Sequence, residues 1–425
     1  MNKCSNTEQK EKKYIQKRLL KAHLQSIPFY LCRIFPVNRK KIAFCCIEGT
    51  TGYSCNPKYI VRELISRNSE KKTDFEFFWL VNDTNKKFPP QIKVVKNTLW
   101  KRAYTLATAG IWIDNSRKQL EVRKRKEQLY IQTWHARLGF KPTCMDRGAS
   151  FSRIAYLVSK HDSDMVDYWL SNSDWYDKTL PTGSLYEGKT LRTGSPRCDI
   201  LINANDEIKE NIRKQYQIEK DARILMYAPT FRGGSQGIHR ELDINEENEP
   251  DFEQLIKAFE KKFGGKWYLF LRMHPQLTVR NIHPIINEPG EKKQDYINLA
   301  GRIIDVSQVD DMYELLAGCN AFLTDYSSAA FDAAAMRIPV FIYAADYKAY
   351  EKERGSLLWD LKKLPFPLAQ NRKEMSQKIE CFEEKKYQDA LTGLFQETGM
   401  MEDGEGSVKV ANFISNTALS REEKN

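Results

Sequence analysis

Two adjacent serines occupy a turn between an apolar run and an alanine-rich segment. The run Ala321–Thr324 is typical of a buried strand, and the residues after Asp325-Tyr326-Ser327-Ser328 predict a helix to about Met336. A helix start carries unpaired N–H groups and a partial positive charge, so this turn suits a phosphate group. Serine is also a preferred N-cap in any helix, and the turn taken alone favours that simpler role.

Other residues that could bind or transform a phosphate ester also lie in turns or just past predicted strands. Arg197 lies in a tight turn, while Thr230 and His274 each follow a predicted strand. His135 ends another strand, in the string QTWHARLGFK, where a lone histidine is more often structural than catalytic. The carboxyl ends of strands in doubly wound sheets form the ligand site, so we expect these groups to converge on an interdomain cleft suited to a pyrophosphate.

The elements that position these residues alternate between strand and helix, which predicts an α/β fold with parallel sheets. The predicted strands are 41–47, 75–81, 92–95, 110–113, 130–134 and 168–171, then 223–227, 267–272, 303–304, 321–324 and 340–343. We expect two doubly wound, Rossmann-like domains at 41–185 and 186–404. A last helical segment within 405–425 is expected to pack back on the first domain.

Composition is typical of a folded enzyme, and the charge is concentrated at one end. Of 425 residues, 41% are hydrophobic and 12% aromatic, and nine cysteines occur without a CxxC pair. This cysteine pattern indicates buried thiols in a reducing compartment, not a disulfide scaffold or a zinc site. Residues 1–41 hold eleven Lys or Arg and two Glu, so they carry +9 of the net +11. The nearly neutral remainder argues against a nucleic-acid partner.

The basic N-terminal segment, 1–40, predicts a membrane-associating helix. Apolar residues recur at helical spacing over 9–27 among many lysines, Pro28 is expected to end the helix, and an aromatic cluster follows it. Such a basic amphipathic segment fits an anionic bilayer interface, although its apolar face could instead pack on the protein body. Without a transmembrane span or signal peptide, we expect a peripheral protein on the cytoplasmic face of the cell membrane.

Six ordered strings carry a resemblance to a known family. The strings QTWH, TGSPRCDIL, MYAPTFRG, RMHP, TDYSSAAFD and YEKERG, with EGTTGYSCNPKYIVREL before them, span about 41–356. Together they resemble the CDP-glycerol glycerophosphotransferase family, which builds wall teichoic acid and some capsules in Gram-positive bacteria. The resemblance implies a GT-B fold, with the acceptor on the side of 41–185 and the CDP donor bound by 186–404. It implies transfer of a polyol phosphate to an acceptor hydroxyl.

The resemblance also assigns site residues. The catalytic histidines fall on His135, as the base for the attacking hydroxyl, and His274, which would stabilise the departing CMP. Donor-binding positions fall on Trp134, Ala136, Arg137, Leu138, Arg197, Pro229, Thr230, Arg272, Met273, Ser327, Ser328 and Asp332. The planar guanidinium group of arginine can donate two parallel hydrogen bonds to a phosphate, although either Arg197 or Arg272 could instead form a structural ion pair. Asp332 could bind ribose or polyol hydroxyls, or simply complement the helix dipole.

We expect no metal ion and no cofactor. The string Asp162-Ser163-Asp164 precedes a predicted strand and so lies away from the ligand edge, and Asp310-Asp311 is typical of a helix start. Arginine, histidine and helix termini can neutralise pyrophosphate instead.

Several functions remain open at this point. Ala136 stands where the family usually has glycine, and the residues after Gly355 follow the family pattern only loosely, so other transferred groups are alternatives to glycerol phosphate. The alternatives are transfer of ribitol phosphate, transfer of a sugar from a nucleotide sugar, and a catalytically silent scaffold in cell-wall assembly.

Overall fold

The computed structural model describes residues 2–230, 249–273 and 301–422. The chain divides into two compact units, each built on its own sheet. Unit 1 comprises Met1–Arg137, Pro142–Asp199 and Met401–Asn425, and unit 2 comprises Leu138–Lys141 and Ile200–Met400.

Unit 1 contains a parallel sheet whose strand order reverses in the middle. Its strands are β1 (Asn38–Cys45), β2 (Glu76–Val81), β3 (Ile92–Lys96), β4 (Ala109–Asp114), β5 (Leu129–Gln132), β6 (Tyr168–Ser171) and β7 (Lys189–Arg192). Among the described residues the order is β3-β2-β1-β4-β5-β6-β7, and every pair is parallel. The order reverses between β1 and β4, where doubly wound folds place their ligands.

Helices cover both faces of this sheet. They are α1 (Asn2–Leu31), α2 (Cys55–Ser69), α3 (Leu99–Thr108), α4 (Arg153–Met165) and α5 (Asp174–Gly183). Residues of β1 alternate between two hydrophobic clusters, since Phe44 lies in one and Cys45 in the other. A parallel strand buried on both faces is therefore continuously apolar, which explains the run KIAFCC.

Unit 2 repeats the same architecture. Its strands are β8 (Arg223–Tyr227), β9 (Trp267–Leu271), β10 (Ile303–Asp305), β11 (Ala321–Thr324), β12 (Val340–Tyr343) and β13 (Leu368–Ala369). The described strands run in the order β10-β9-β8-β11-β12-β13, all parallel, with the reversal between β8 and β11. Its helices are α6 (Asp199–Ile202), which begins at the unit boundary, α7 (Asp206–Gln215), α8 (Phe252–Phe263), α9 (Met312–Leu316), α10 (Ala329–Ala335), α11 (Tyr347–Arg354), α12 (Arg372–Glu380) and α13 (Glu384–Thr398).

The last helix, α14 (Gly406–Glu422), belongs to unit 1. Val410, Ala411 and Ile414 are fully buried in the cluster that β1 and α2 share. The two doubly wound α/β domains confirm the predicted fold class.

The N-terminal helix is longer than predicted. The expected end at Pro28 is wrong, because α1 continues to Leu31 with the proline inside its last turn. Phe29 and Cys32 are buried in the cluster that holds Ala103 and Leu106 of α3. Burying one large apolar side chain is worth about 1.5–3 kcal/mol, which offsets much of the roughly 3 kcal/mol cost of an interior proline.

In α1, small residues lie on the buried face and several large apolar residues are exposed, which is not the pattern of a simple amphipathic helix. Small residues such as Ala22 and Ser26 are buried, whereas Leu20 is 62% exposed, Leu24 56% and Ile34, just beyond the helix, 81%. No helix in the described ranges is both long and apolar enough to span a bilayer.

Candidate functional site

Three neighbouring strand ends meet where the sheet of unit 1 reverses. β1, β4 and β5 are adjacent, and the residues just past them include Cys46, Asn115 and His135. Cys46 accepts a hydrogen bond from the side chain of Asn115 at 3.0 Å, and the backbone N–H of Ile47 donates to the Asn115 Oδ1 at 2.7 Å. These contacts tie the loops after β1 and β4 together beside His135.

His135 lies on a loop and not at the end of a strand. The predicted strand 130–134 is too long, because β5 ends at Gln132 and Trp134 has a left-handed backbone with φ of 49°. The Gln132 side chain accepts from the Trp134 N–H at 3.0 Å, and Asn56 donates to the Trp134 carbonyl at 2.8 Å. The loop that carries the histidine is therefore held by side chains on both sides.

The imidazole of His135 has a defined tautomer. Its Nδ1 lies 2.6 Å from the carbonyl oxygen of Asn115, so Nδ1 carries the proton and donates. Its ring stacks on Trp134 with centroids 4.6 Å apart. Burial lowers the pKa of His135, and the charge of Arg197 lowers it further, while the bond to Asn115 raises it. The ring is neutral near pH 7, with an unprotonated Nε2 able to accept a proton.

Arg197 supports this loop from the 3-10 turn Pro196–Cys198. Its side chain is 3% exposed, and Nη1 donates to the His135 carbonyl at 2.6 Å and to the Cys55 sulfur at 3.6 Å. Its backbone N–H donates to Asn56 at 3.1 Å. The structure thus brings Arg197 and His135 together through the hydrogen bond from the guanidinium to the backbone carbonyl of the histidine. Its donor-binding role stays a prediction.

Arg137 is a buried cation with spare donors. Its side chain is 4% exposed, Nη1 donates to the Thr133 carbonyl at 2.7 Å, and the guanidinium lies 5.9 Å from the Tyr176 ring centroid. Nε and Nη2 are buried, and nothing in the described part of the chain hydrogen-bonds to them. Burial lowers the pKa of Arg137. A buried charge of this kind is costly unless an anion compensates it.

An acidic residue whose charge acts on Arg137 is engaged in hydrogen bonds. Glu402 accepts from the backbone N–H of Ser195 at 2.8 Å and from the Asn172 side chain at 2.7 Å. The charge of Glu402 raises the pKa of Arg137, but this effect is smaller than the lowering caused by burial.

In unit 2, Asp325 joins two loops of the predicted site. The Thr230 N–H donates to both carboxylate oxygens of Asp325, at 2.9 and 3.0 Å, and the Thr230 hydroxyl donates to Oδ1 as well. Asp325 is 1% exposed. Sequence reasoning missed this positioning role; the available signal was an aspartate directly after the buried strand β11. Pro229, beside Thr230, is partly exposed.

The two serines differ in what they contact. The Ser327 hydroxyl accepts from the N–H of Ala329, the first residue of α10, at 3.3 Å. Ser328 occupies the N-cap position without a side-chain cap bond. Both side chains are partly exposed, whereas Asp332 is 3% exposed and accepts from the Tyr313 hydroxyl.

The remaining predicted residues lie at strand ends or in the loop after β5. Arg272 follows β9, and its Nη1 donates to the carbonyls of Val306 and Ser307 at 2.6 and 2.9 Å. Met273 is buried, and His274 lies outside the described residues. Ala136 is partly exposed.

The segment Leu138–Lys141 belongs to unit 2 by its packing. Leu138 is 2% exposed, and the Phe140 carbonyl accepts from the Leu358 N–H at 2.8 Å. The Phe140 ring lies 5.0 Å from that of Phe331.

The carboxylates suggested by DxD-like strings are structural. Asp162 lies inside α4 and accepts from the Tyr130 hydroxyl at 3.0 Å and the Lys118 N–H at 2.9 Å. Asp311 caps α9 by accepting from the Tyr313 N–H at 3.0 Å, which confirms the predicted helix start.

Comparisons with known proteins agree with this architecture. A family model described as CDP-glycerol:poly(glycerophosphate) glycerophosphotransferase matches residues 27–416. The teichoic acid poly(glycerol phosphate) polymerase of Bacillus spizizenii W23 is 26% identical, over 94% of this chain and 98% of that protein. The teichoic acid glycerol-phosphate transferase of Staphylococcus aureus NCTC 8325 is 26% identical, over 89% and 93%.

Longer relatives and a solved structure extend the comparison. The chain covers 50% of the teichoic acid poly(glycerol phosphate) polymerase of Bacillus subtilis 168, at 26% identity over 91% of this chain. A structure of the wall teichoic acid polymerase TagF superposes with a TM-score of 0.74 at 22% identity, covering 98% of this chain and 99% of that one. At this identity the structural match shows a shared fold.

Proposed function

The chain belongs to the CDP-glycerol:poly(glycerophosphate) glycerophosphotransferase family, and from this premise we propose that it transfers glycerol phosphate from CDP-glycerol to a hydroxyl of a lipid-linked glycan or of a teichoic acid or capsule chain, with release of CMP. The observation that carries the proposal is the neutral His135, whose Nδ1 is fixed on the Asn115 carbonyl while Nε2 can accept a proton.

In the proposed reaction His135 is the general base. The acceptor hydroxyl oxygen attacks the phosphorus that bears glycerol, and its proton passes to Nε2 of His135. The bond from that phosphorus to the oxygen bridging to CMP breaks, and CMP leaves with the electron pair. A base of this kind contributes about 10²- to 10⁴-fold in rate when its neutral form predominates at the working pH.

Arg137 is the proposed partner of a phosphate charge in unit 1. Its two unengaged donors and its burial support this role, because an anion there would relieve the cost of the isolated cation. In unit 2 we propose that Ser328, with the loop that Asp325 and Thr230 hold, contacts the donor phosphates. The donor roles of Arg197, Arg272 and Asp332, and the role of His274 in CMP departure, stay predictions.

The proposed acceptor is presented at a membrane surface. Apolar side chains of α1 and the residues after it point away from the body of unit 1, and Trp100, 58% exposed, and Tyr104, 47% exposed, lie on the neighbouring α3. The +9 charge of residues 1–41 favours an anionic leaflet. We propose that this surface holds the enzyme on the cytoplasmic face of the cell membrane, near a lipid-linked acceptor.

A second candidate donor is CDP-ribitol. The teichoic acid poly(ribitol-phosphate) polymerase of Bacillus spizizenii W23 is 26% identical over 87% of this chain and 55% of that protein, the same identity as that of the glycerol relatives. Because the attacking hydroxyl and departing CMP are the same, His135 would serve either donor.

The test is CMP release from CDP-glycerol with a teichoic acid primer, run in parallel with CDP-ribitol. The His135→Ala variant is expected to lose about 10²- to 10⁴-fold of the wild-type rate. His161→Ala is the matched control, because that histidine is also partly buried in unit 1 and its Nε2 contacts the Val122 carbonyl at 3.0 Å. Equal losses in both variants would mean a structural effect, and a wild type silent with both donors would favour the scaffold alternative.

A further inference from the structure

One buried glutamine, at the end of β5, contacts both of the loops that meet at His135. Gln132 is fully buried, and its Oε1 accepts from the N–H of Trp134, the residue before His135, at 3.0 Å. Its Nε2 donates to the carbonyl of Ser116, the residue after Asn115, at 3.1 Å. The carboxamide therefore joins the loop after β5 to the loop after β4, one residue away from each partner of the Nδ1 hydrogen bond.

The orientation of this carboxamide is set by its surroundings. Besides the Ser116 carbonyl, Nε2 lies 2.9 Å from the Tyr130 hydroxyl oxygen and 3.4 Å from Oδ2 of Asp162. The Tyr130 hydroxyl donates its own proton to Asp162 at 3.0 Å, so its oxygen accepts from Gln132. Because the three groups at Nε2 are acceptors and the group at Oε1 is a donor, the reversed amide would lose these hydrogen bonds. Asp162, fully buried inside α4, thus helps to orient Gln132.

The bond from Trp134 to Gln132 also holds an unfavourable backbone conformation. Trp134 has a φ of 49°, and a residue with a side chain keeps this left-handed conformation only where its surroundings offset the cost. Gln132 binds the N–H of Trp134, while Asn56 binds its carbonyl at 2.8 Å. Without the glutamine, we expect Trp134 to relax toward negative φ and to carry His135 away from the carbonyl of Asn115.

We propose that Gln132 is a positioning residue for the transfer reaction, because it keeps His135 against the Asn115 carbonyl and so keeps the tautomer whose Nε2 accepts the proton. Gln132 acts on the reaction only through the two loops that its carboxamide joins. An imidazole without a fixed partner at Nδ1 exchanges its proton between the two ring nitrogens, and only one of the two forms can act as the base. The effect of Gln132 on the rate rests on the proposed function, whereas its effect on the tautomer does not.

A second glutamine, at the other end of β5, provides a matched control. Gln128 is 1% exposed, and its Nε2 donates to the carbonyls of Leu106 and Ala109 at 2.5 and 2.6 Å. Its Oε1 accepts from the Arg125 N–H at 2.7 Å. Gln128 therefore also joins separate segments through its amide, but it precedes β5 and lies at the opposite edge of the sheet from His135. Methionine at either position removes these hydrogen bonds and leaves a side chain of similar size.

The first experiment measures the tautomer of His135 in the full-length protein. NMR spectra of protein labelled with ¹⁵N in histidine are compared for the wild type, Gln132→Met and Gln128→Met, and His135→Ala assigns the signals. At about pH 8, above the ordinary histidine pKa of about 6.5, the rings are neutral, and protonated and unprotonated ring nitrogens have separate ¹⁵N resonances. His161, whose Nε2 lies 3.0 Å from the Val122 carbonyl, provides the opposite tautomer as a reference in the same spectrum.

The wild type and Gln128→Met are expected to show a protonated Nδ1 and an unprotonated Nε2 for His135. In Gln132→Met both nitrogens are expected at positions averaged between the two tautomers. The wild-type pattern in Gln132→Met would overturn the proposal. Averaging in Gln128→Met as well would also overturn it, because the tautomer would then depend on the general stability of β5.

Gln132→Asn is the second variant, for the case in which thermal melting shows that Gln132→Met does not fold. Asparagine keeps a carboxamide in the buried site, but it is one methylene shorter. It therefore cannot reach both the Trp134 N–H and the Ser116 carbonyl. The same averaging of the His135 nitrogens is expected, and the wild-type pattern in Gln132→Asn would refute the positioning role.

CMP release from CDP-glycerol separates this proposal from the transferase proposal. In Gln132→Met, kcat is expected to fall about 10- to 100-fold while the KM for CDP-glycerol stays near the wild-type value, because a catalytic group misplaced by ~1 Å costs about 10²-fold in rate. Gln128→Met is expected to keep both constants. An averaged tautomer with a wild-type kcat, or equal losses of kcat in both variants, would contradict the positioning role. If the wild type releases no CMP, the transferase proposal fails, while the NMR comparison still decides whether Gln132 fixes the tautomer.

Discussion

Nδ1 of His135 donates a hydrogen bond of 2.6 Å to the backbone carbonyl of Asn115, which lies just past the neighbouring strand β4. A carbonyl oxygen only accepts, so this contact fixes the tautomer and leaves Nε2 as the proton acceptor. Because the partner is backbone, its position depends on the sheet and not on a side-chain rotamer. The sheet therefore sets both the place and the protonation state of the base.

The pH dependence of transfer should reflect this environment. Burial lowers the pKa of His135 below its ordinary value of 6.5. The neutral form, which accepts the proton, is lost only as pH falls through that lowered pKa, so activity should persist to more acidic pH than an ordinary histidine allows. We expect the acid limb of kcat/KM to be centred below pH 6.5. A limb centred at or above 6.5 would contradict the assignment of His135 as the base.

Replacing Arg137 with methionine should separate stability from binding. The wild-type guanidinium is buried with two donors unengaged in the described structure, so Arg137→Met should leave the melting temperature unchanged or raise it. Pyrophosphate should raise the melting temperature of the wild type and have at least tenfold weaker affinity for the variant. Differential scanning fluorimetry across pyrophosphate concentrations measures both quantities.

Arg192→Met is the control for that substitution. Arg192 is exposed and paired with Asp174 and Asp177, so its loss should change stability by at most about 1 kcal/mol and leave the pyrophosphate effect intact. A large loss of stability in Arg137→Met, with pyrophosphate still effective, would show that Arg137 is structural.

The Asp325→Ala substitution should lower both the stability of unit 2 and the rate of glycerol phosphate transfer. The carboxylate accepts from the backbone and hydroxyl of Thr230. Hydrogen bonds to a charged group are worth about 1.5–3 kcal/mol each, and the Thr230 N–H would lose its partner on Asp325. We expect the free energy of unfolding to fall by about 2–4 kcal/mol and CMP release to fall at least tenfold.

The matched control for this carboxylate is Asp389→Ala, on the exposed side of α13. It should change the free energy of unfolding by less than about 0.5 kcal/mol. Equal denaturation midpoints for the two variants would contradict the role of Asp325 as the tie between the β8 and β11 loops.

The sequence predicted most strands, because buried parallel strands are short apolar runs bounded by turn residues. The strands β6, β8, β11 and β12 have the predicted limits. β7 was missed because KTLR is charged and its residues are half-buried or exposed at the sheet edge. This strand forms because it pairs with β6, and the pattern of apolar residues along its own sequence does not indicate that pairing.

Within the candidate site, the sequence predicted residues but not the contacts that hold them. His135 is positioned by Asn115 and Arg197, which lie 20 and 62 residues away along the chain. Contacts at such separations depend on the sheet order, which the chain order does not give. The same reason explains why the sequence placed Arg197 in a tight turn facing a ligand cleft, whereas the residue is 3% exposed and holds the loop of His135.

Membrane association should depend on apolar residues that α1 and its continuation expose. Leu24 is 56% exposed and Ile34 81%, so neither supports the fold by packing, and Leu24→Glu with Ile34→Glu should leave the melting temperature unchanged. The variant should bind vesicles of phosphatidylglycerol at least tenfold more weakly than the wild type in a flotation assay, because two charges oppose insertion into the interface. Met145→Glu is the control, since Met145 is 51% exposed elsewhere in unit 1. Wild-type binding by the double variant would show that the basic charge alone recruits the protein, and binding of both to neutral vesicles would contradict the electrostatic contribution.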